Sequence, residues 1–255
     1  KALDAVYDTI QKRSKIPRLL GPESIGIGYN IVENYVNALN SAKLYGIAHH
    51  LYHGVSETDP LVSTEFAKVG NLKPQIPHFQ TEYSRGDWFP LAGMLYKSFN
   101  DENAVAYLFW DLIWDNGGLV DLDFPWDSNR WSNPKGYTRN KHYFVFKQFS
   151  AWVHPGWKRI KVSTPSIMVK TLAFISADKD SATFIAINTS ATNTYPVKVT
   201  IPGFNIDQSV TTRTSSAEDG ITDPLPADSV QIKPKSITTV AVKISPAGTS
   251  SGLTY

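Results

Sequence analysis

Glu82 closes the run Ile76-Pro77-His78-Phe79-Gln80-Thr81-Glu82-Tyr83-Ser84, a short apolar segment that stops at the turn Ser84-Arg85-Gly86-Asp87. A carboxylate at the last position of a parallel barrel strand projects into the open end of the sheet, where such folds do chemistry. Among aromatic neighbours it suits attack on an acetal carbon, chemistry that uses two carboxyl groups about 5–5.5 Å apart when one of them is the nucleophile. The alternative for Glu82 is a surface pair with Arg85, which would contribute little. Glu23, in Gly21-Pro22-Glu23-Ser24, is the other glutamate at a predicted strand end. It is either the acid partner or a hydrogen-bonding group that shapes the mouth. Glu33, Glu57, Glu65 and Glu102 fall on predicted helices or loop edges and read as solvated.

His49, His50 and His53 have spacings that would suit a metal on a helix, but they lie on a predicted strand and the loop after it. Alternation puts His49 and His50 on opposite faces. No Cys and no further carboxylate completes a site, so neither a metal nor a cofactor is expected. Trp110 and Trp114, four residues apart on a predicted strand, share a face, and at least one is expected to floor a ring-binding site. Trp88, Trp126 and Trp131 lie in predicted mouth loops, where each either stacks on a ligand ring or anchors its loop.

These groups need a scaffold, and the chain changes character near residue 155. Before it, apolar runs alternate with helical patterns. Helices are predicted over about residues 2–13, 31–40, 60–69, from Phe89 to Leu95, and over 138–153. Strands are predicted at Pro17–Ser24, Tyr45–Tyr52, the Glu82 run and Ala104–Trp114, the last fully apolar as in a parallel sheet covered on both faces. Four such units predict a parallel sheet with helices outside, half of a barrel. After it, seven β-type runs (158–162, 167–175, 183–188, 197–201, 210–214, 229–232 and 237–244) predict an antiparallel sandwich. The fold class read from the chain is therefore α/β plus all-β, with residues 1–155 and 156–255 as the two domains.

Composition narrows the function classes. A net charge of +2 with 19% charged residues gives no reason to expect nucleic acid or a membrane surface as partner. No apolar run approaches the length of a membrane span. Lys1-Ala2-Leu3-Asp4 reads as domain interior, not as a signal peptide. Seven Trp, 12 Tyr and 12 Phe suit either a large core or stacking on sugar rings. Asn188-Thr189-Ser190 fits the N-glycosylation pattern.

In order along the chain, Gly21-Pro22-Glu23-Ser24, His50-Leu51-Tyr52-His53-Gly54, Gln80-Thr81-Glu82-Tyr83-Ser84, Trp110-Asp111-Leu112-Ile113-Trp114, Lys147-Gln148-Phe149-Ser150 and Val153-His154-Pro155-Gly156-Trp157-Lys158-Arg159-Ile160 resemble glycoside hydrolase family 30, most of all its xylanase branch. The resemblance implies a (β/α)8 barrel with a β-sandwich at its side, and retaining cleavage of β-glycosides in xylan outside the cell. Residues 1–155 would supply barrel strands 5–8, with Glu82 the nucleophile and His50, Tyr52, Trp110 and Trp114 around the sugar. The Tyr52 hydroxyl would hold Glu82. The family's acid/base glutamate sits in an Asn-Glu-Pro type motif that this sequence lacks, so it is expected N-terminal to Lys1. The partner would then be the other half-barrel, as a separate chain or missing segment, or a second copy of this chain. In the loop from Asp115 to Gly136, glucuronoxylan-specific members bind the glucuronate. Arg130, Lys135, Tyr137 and Arg139 are near it, but their spacing assigns no carboxylate fork. A xylanase independent of that decoration is therefore preferred, with glucuronoxylan or β-glucan as alternative substrates. A reading of another class makes the chain a non-catalytic polysaccharide-binding fragment.

Overall fold

Alternating apolar strands and amphipathic helices must bury one face each, and the first part of the chain does so with a parallel sheet. The computed structural model describes residues 1–84, 86–114, 117–122, 136–164, 166–223 and 226–248. It forms two compact units, Lys1–His142 and Tyr143–Tyr255.

In the first unit, β1 (Leu20–Ser24), β2 (Gly46–His50), β3 (His78–Glu82) and β4 (Ala106–Tyr107) lie side by side in chain order, all parallel. The connections carry α2 (Ile31–Ala38), the short α3 (Val55–Thr58), α4 (Glu65–Gly70) and α5 (Trp88–Lys97). Val32 and Val36 of α2, Phe66 and Val69 of α4 and Leu91 and Leu95 of α5 are buried at helical spacing. The N-terminal helix α1 (Ala2–Ile10) has no fully buried residue. Lys43 holds it instead, 3.1 Å from both Asp4 and Asp8 and over the Tyr7 ring.

Several predicted elements differ in extent. The helix expected over 60–69 is shorter, α4 alone, because residues 60–64 are turn and bend; α3 lies before the predicted span. The predicted strand Ala104–Trp114 is not one strand. Its start pairs with β3, and β5 (Ile113–Trp114) belongs to a separate small sheet with β6 (Val120–Leu122) and β7 (Tyr137–Arg139). Much of its apolar surface is also not covered: Val105, Leu108, Leu112 and Ile113 are exposed, while Ala104 and Tyr107 are buried. Apolarity signals a strand's need for cover, and among the described residues no further strand pairs with β1 or β4 at the edges of the four-stranded sheet. The helix expected from 138 starts later, as α6 (Lys141–Ser150), because residues 137–139 form β7.

In the second unit, six antiparallel strands run β13-β12-β15-β10-β9-β8: β8 (Lys158–Ile160), β9 (Val169–Ile175), β10 (Ser181–Asn188), β12 (Phe204–Ser215), β13 (Asp219–Asp223) and β15 (Ser236–Pro246). A two-stranded sheet, β11 (Tyr195–Val197) with β14 (Val230–Ile232), covers one face by packing Val230 against Ala182, Val240 and Val242. The other face carries α6. Gln148 of α6 is buried and donates to Thr214 Oγ1 (2.8 Å), while Thr212 Oγ1 donates to its side chain and Thr239 Oγ1 to its carbonyl, both at 2.9 Å. The edge strand β13 lies outside the seven runs read from the sequence. Asp219-Gly220-Ile221-Thr222-Asp223 has little apolar content, as an edge strand permits.

Asn188 is unsuited to glycosylation in this fold. It is fully buried, and its Nδ2 donates to the carbonyls of Asn193, Ile232 and Lys233.

Candidate active site

Parallel strands end together, so residues at the C-terminal ends of β1, β2 and β3 converge at one edge of the sheet. Glu23, His50 and Glu82 occupy those ends. His50 Nε2 lies 3.2 Å from Glu23 Oε1, and its Nδ1 lies 3.7 Å from Glu82 Oε1. The second distance is too long for a hydrogen bond. Glu82 stays partly open to solvent, with 29% of its side chain accessible.

Two local irregularities create this convergence. The β1–β2 register slips between Pro22 and Ser24, which leaves Glu23 as the extra residue, in the left-handed region at φ 63°. The β2–β3 register slips where His49 pairs with Gln80 and His50 with Glu82, which leaves Thr81 as the extra residue. Bulges re-aim side chains. The two extra residues meet each other: Thr81 Oγ1 donates to Glu23 Oε1, and it lies 3.1 Å from the His49 carbonyl. Glu23 thus accepts from Thr81 and approaches His50. An imidazole stands between it and Glu82, which argues against Glu23 as the proton donor facing a nucleophile across one glycosidic bond.

Aromatic rings frame the same end. Tyr52 packs edge-on to His50 with centroids 5.9 Å apart and lies 5.3 Å from the Tyr83 ring. The Tyr52 hydroxyl is 3.0 Å from Ser84 Oγ. The chain after β2 comes so near the chain after β1 that a β-carbon on Gly26 would lie 1.8 Å from the Tyr52 carbonyl oxygen. Trp110 follows β4, and its N–H donates to the Tyr83 carbonyl at 3.0 Å, so it continues the pairing beside β3. Trp114 sits on β5 in the small sheet. Both rings are about half exposed (52% and 51%), and the expected common strand face does not exist because no single strand joins them. Trp88 opens α5, half-buried with its ring edge-on to Phe89. Arg130, like Arg85, Trp126, Trp131 and Lys135, lies outside the described residues.

One acidic residue departs from its sequence reading outright. Glu102 is fully buried, with Oε1 2.6 Å from Nε2 of the equally buried His49 and 3.6 Å from His78 Nδ1. Burial alone would drive His49 to a lower pKa, but the adjacent Glu102 charge and its hydrogen bond reverse this and leave it raised. Burial likewise opposes ionisation of Glu102, and His49 overcomes it to leave the carboxyl lowered. The signal was present in the sequence: Glu102 continues the buried stripe of Leu91, Leu95 and Ser98 through a π-helical turn, Ser98–Glu102. Glu65 is not simply solvated either, since its carboxylate accepts from the Ser56 N–H at 2.8 Å.

No protein-family model matches the sequence, and no curated protein matches it. Solved structures do. The catalytic domain of the GH30 xylanase C from Talaromyces cellulolyticus superposes with a TM-score of 0.69 and 18% identity, over 94% of this chain and 55% of that one. The likeness is one of fold. CelM2, a bifunctional glucanase-xylanase from a metagenome library, matches with a TM-score of 0.57 and 14% identity over 95% of this chain and 60% of that one. AbfB, a family 51 α-L-arabinofuranosidase from Bifidobacterium longum, matches with a TM-score of 0.65 and 10% identity over 95% and 62%. The neighbours are TIM-barrel glycoside hydrolases, and the chain spans between 55% and 62% of the lengths of these three.

Proposed function

We propose that the chain is the C-terminal part of a retaining glycoside hydrolase, half of a (β/α)8 barrel followed by a β-sandwich, that cleaves β-1,4-xylosidic bonds of xylan outside the cell. The observation that carries this is Glu82, a partly open carboxylate at the C-terminal end of a parallel strand, beside His50, in a fold shared with glycoside hydrolases. In this reading Glu82 attacks the anomeric carbon, and an acid/base glutamate from a preceding barrel segment protonates the leaving oxygen. Tyr52 and Trp110 flank the sugar. The open sheet supports the need for that segment, since Leu20 on β1 and Val105 and Leu108 around β4 expose apolar surface that further strands would cover. A separate half-barrel chain or a second copy of this chain would serve the same purpose.

The test is reducing-sugar release from unsubstituted xylan, glucuronoxylan and β-glucan by the barrel-complete protein, with Glu82→Gln alongside. Release from unsubstituted xylan that falls by about three orders of magnitude or more in Glu82→Gln is expected. Retained activity in that variant overturns the assignment. Preference for glucuronoxylan or β-glucan keeps the chemistry and replaces the substrate.

A groove on the second unit favours a non-catalytic reading as well. Its volume is about 560 Å³, and Trp152, His154 and Trp157 line it together with Asp180 and Lys243, an apolar wall with polar groups of the kind that holds sugars. Retention of residues 143–255 on insoluble xylan would support binding by this unit. Retention that requires residues 1–142 would count against it.

A further inference from the structure

His49 is a buried side chain that the proposed chemistry leaves unused, although it directly precedes His50. Both of its ring nitrogens face acceptors: Nδ1 lies 2.9 Å from the His50 carbonyl, and Nε2 lies 2.6 Å from Glu102 Oε1. A neutral imidazole carries one N–H, so two such contacts require a proton on each nitrogen. We infer that Glu102 and His49 are positioning residues for the catalytic end of the sheet, with Glu102 holding the His49 ring as an imidazolium that fixes the His50 carbonyl and, with it, the imidazole facing Glu82. The inference rests on the functional reading above only for the role of Glu82.

The surroundings fit this task. Thr81, the extra residue of the β3 bulge, reaches the His49 carbonyl and Glu23, so the successive carbonyls of His49 and His50 at the strand end are each met by a side chain. Glu102 Oε2 is buried without a hydrogen-bond partner, so the interactions of the carboxylate are concentrated at Oε1. The close approach depends on Gly70 at the end of α4, where a β-carbon would lie 2.7 Å from Glu102 Cα. The other titratable groups that act on the pair are His78 on β3, Glu23 on β1 and Tyr107 on β4. His78 places Nε2 2.9 Å from the Leu72 carbonyl, which leaves Nδ1 as the more distant neighbour of Glu102. A buried ion pair is a poor source of net stability, because apolar replacements often fold as well. What this pair supplies is orientation: a charged ring cannot rotate without leaving its carboxylate behind.

The experiment is long-range proton–nitrogen NMR of the histidine rings in the full chain labelled with ¹⁵N-histidine, for wild type, Glu102→Leu and, as control, Asp101→Asn from the same turn. In the wild type at pH 7, His49 is expected to carry protons on both nitrogens. Glu102→Leu is expected to remove that state and to shift the His50 ring nitrogen resonances, while Asp101→Asn leaves both unchanged. A neutral His49 in the wild type, or an unmoved His50 in folded Glu102→Leu, overturns the inference. If Glu102→Leu does not fold, Glu102→Gln takes its place and the wild-type ring state still decides. None of these readouts needs turnover, so failure of Glu82 as nucleophile and failure of this inference remain separate results.

Discussion

The larger sheets of the two units satisfy their backbones by opposite means. The antiparallel sheet of the second unit is built from long strands, 12 residues in β12 and 11 in β15, paired in nearly unbroken register and covered on both faces. The parallel sheet of the first unit has strands of at most five residues, two bulges and exposed apolar side chains at its margins. Regular pairing over a closed core yields a self-sufficient unit. Short strands with slipped ends yield a place where side chains of three strands converge, at the cost of cover. The candidate site thus sits where ladder regularity is given up.

Separating the units should have the largest effect. Residues 143–255 alone are expected to melt cooperatively as a monomer, whereas residues 1–142 alone self-associate; sedimentation and calorimetry of the two pieces check this. Within the second unit, Ile185→Ala empties a fully buried position of β10 and should cost about 2–5 kcal/mol by denaturant unfolding. In the first unit, Gly26→Ala forces a β-carbon onto the Tyr52 carbonyl and should cost about 1–3 kcal/mol, with faster amide exchange at β1 and β2 and none added in β10 or β15.

Alkali should separate the units further. Hydrogen bonds from Arg213 hold the Glu218 carboxyl down to about 2, against partial burial. Its contribution to the second unit is therefore full above 4.5 and is lost as pH falls toward 2. The raised His49 works the other way: its contribution to the first unit is present below 6.5 and is lost as pH rises through the higher folded value. Melting curves across pH, read by amide exchange in each unit, should show acid loss in both units, since Glu102 is lowered as well, and an alkaline loss confined to the first. The smallest effect is expected from Val105→Lys, an exposed position beside β4, with stability changed by about 0.5 kcal/mol or less and self-association of residues 1–142 reduced.

Much of this was legible in the residues. Period-two runs such as Thr238–Ile244 marked β15, and the spacing of Val32 and Val36 marked α2, because each pattern reports the face an element must bury. The alternation that set His49 and His50 on opposite faces holds in the structure, with His49 buried and His50 at the mouth. The same rule failed for Trp110 and Trp114, since an apolar run does not say where pairing stops. Glu102 read as solvated because a carboxylate is expected outside, although its place on the α5 stripe pointed inward. The sequon at Asn188 looked available until three carbonyls claimed its amide.

By itself, then, the sequence determined the order of strands and helices, the switch from parallel to antiparallel character and the carboxylate at the end of β3, because these follow from local periodicity and chain order. Only the tertiary structure decided that Glu102 meets His49, that Thr81 meets Glu23 and that His50 stands between two carboxylates. Those meetings depend on the register between strands far apart in the chain, and a slip of one residue at a strand end re-aims the side chains that follow.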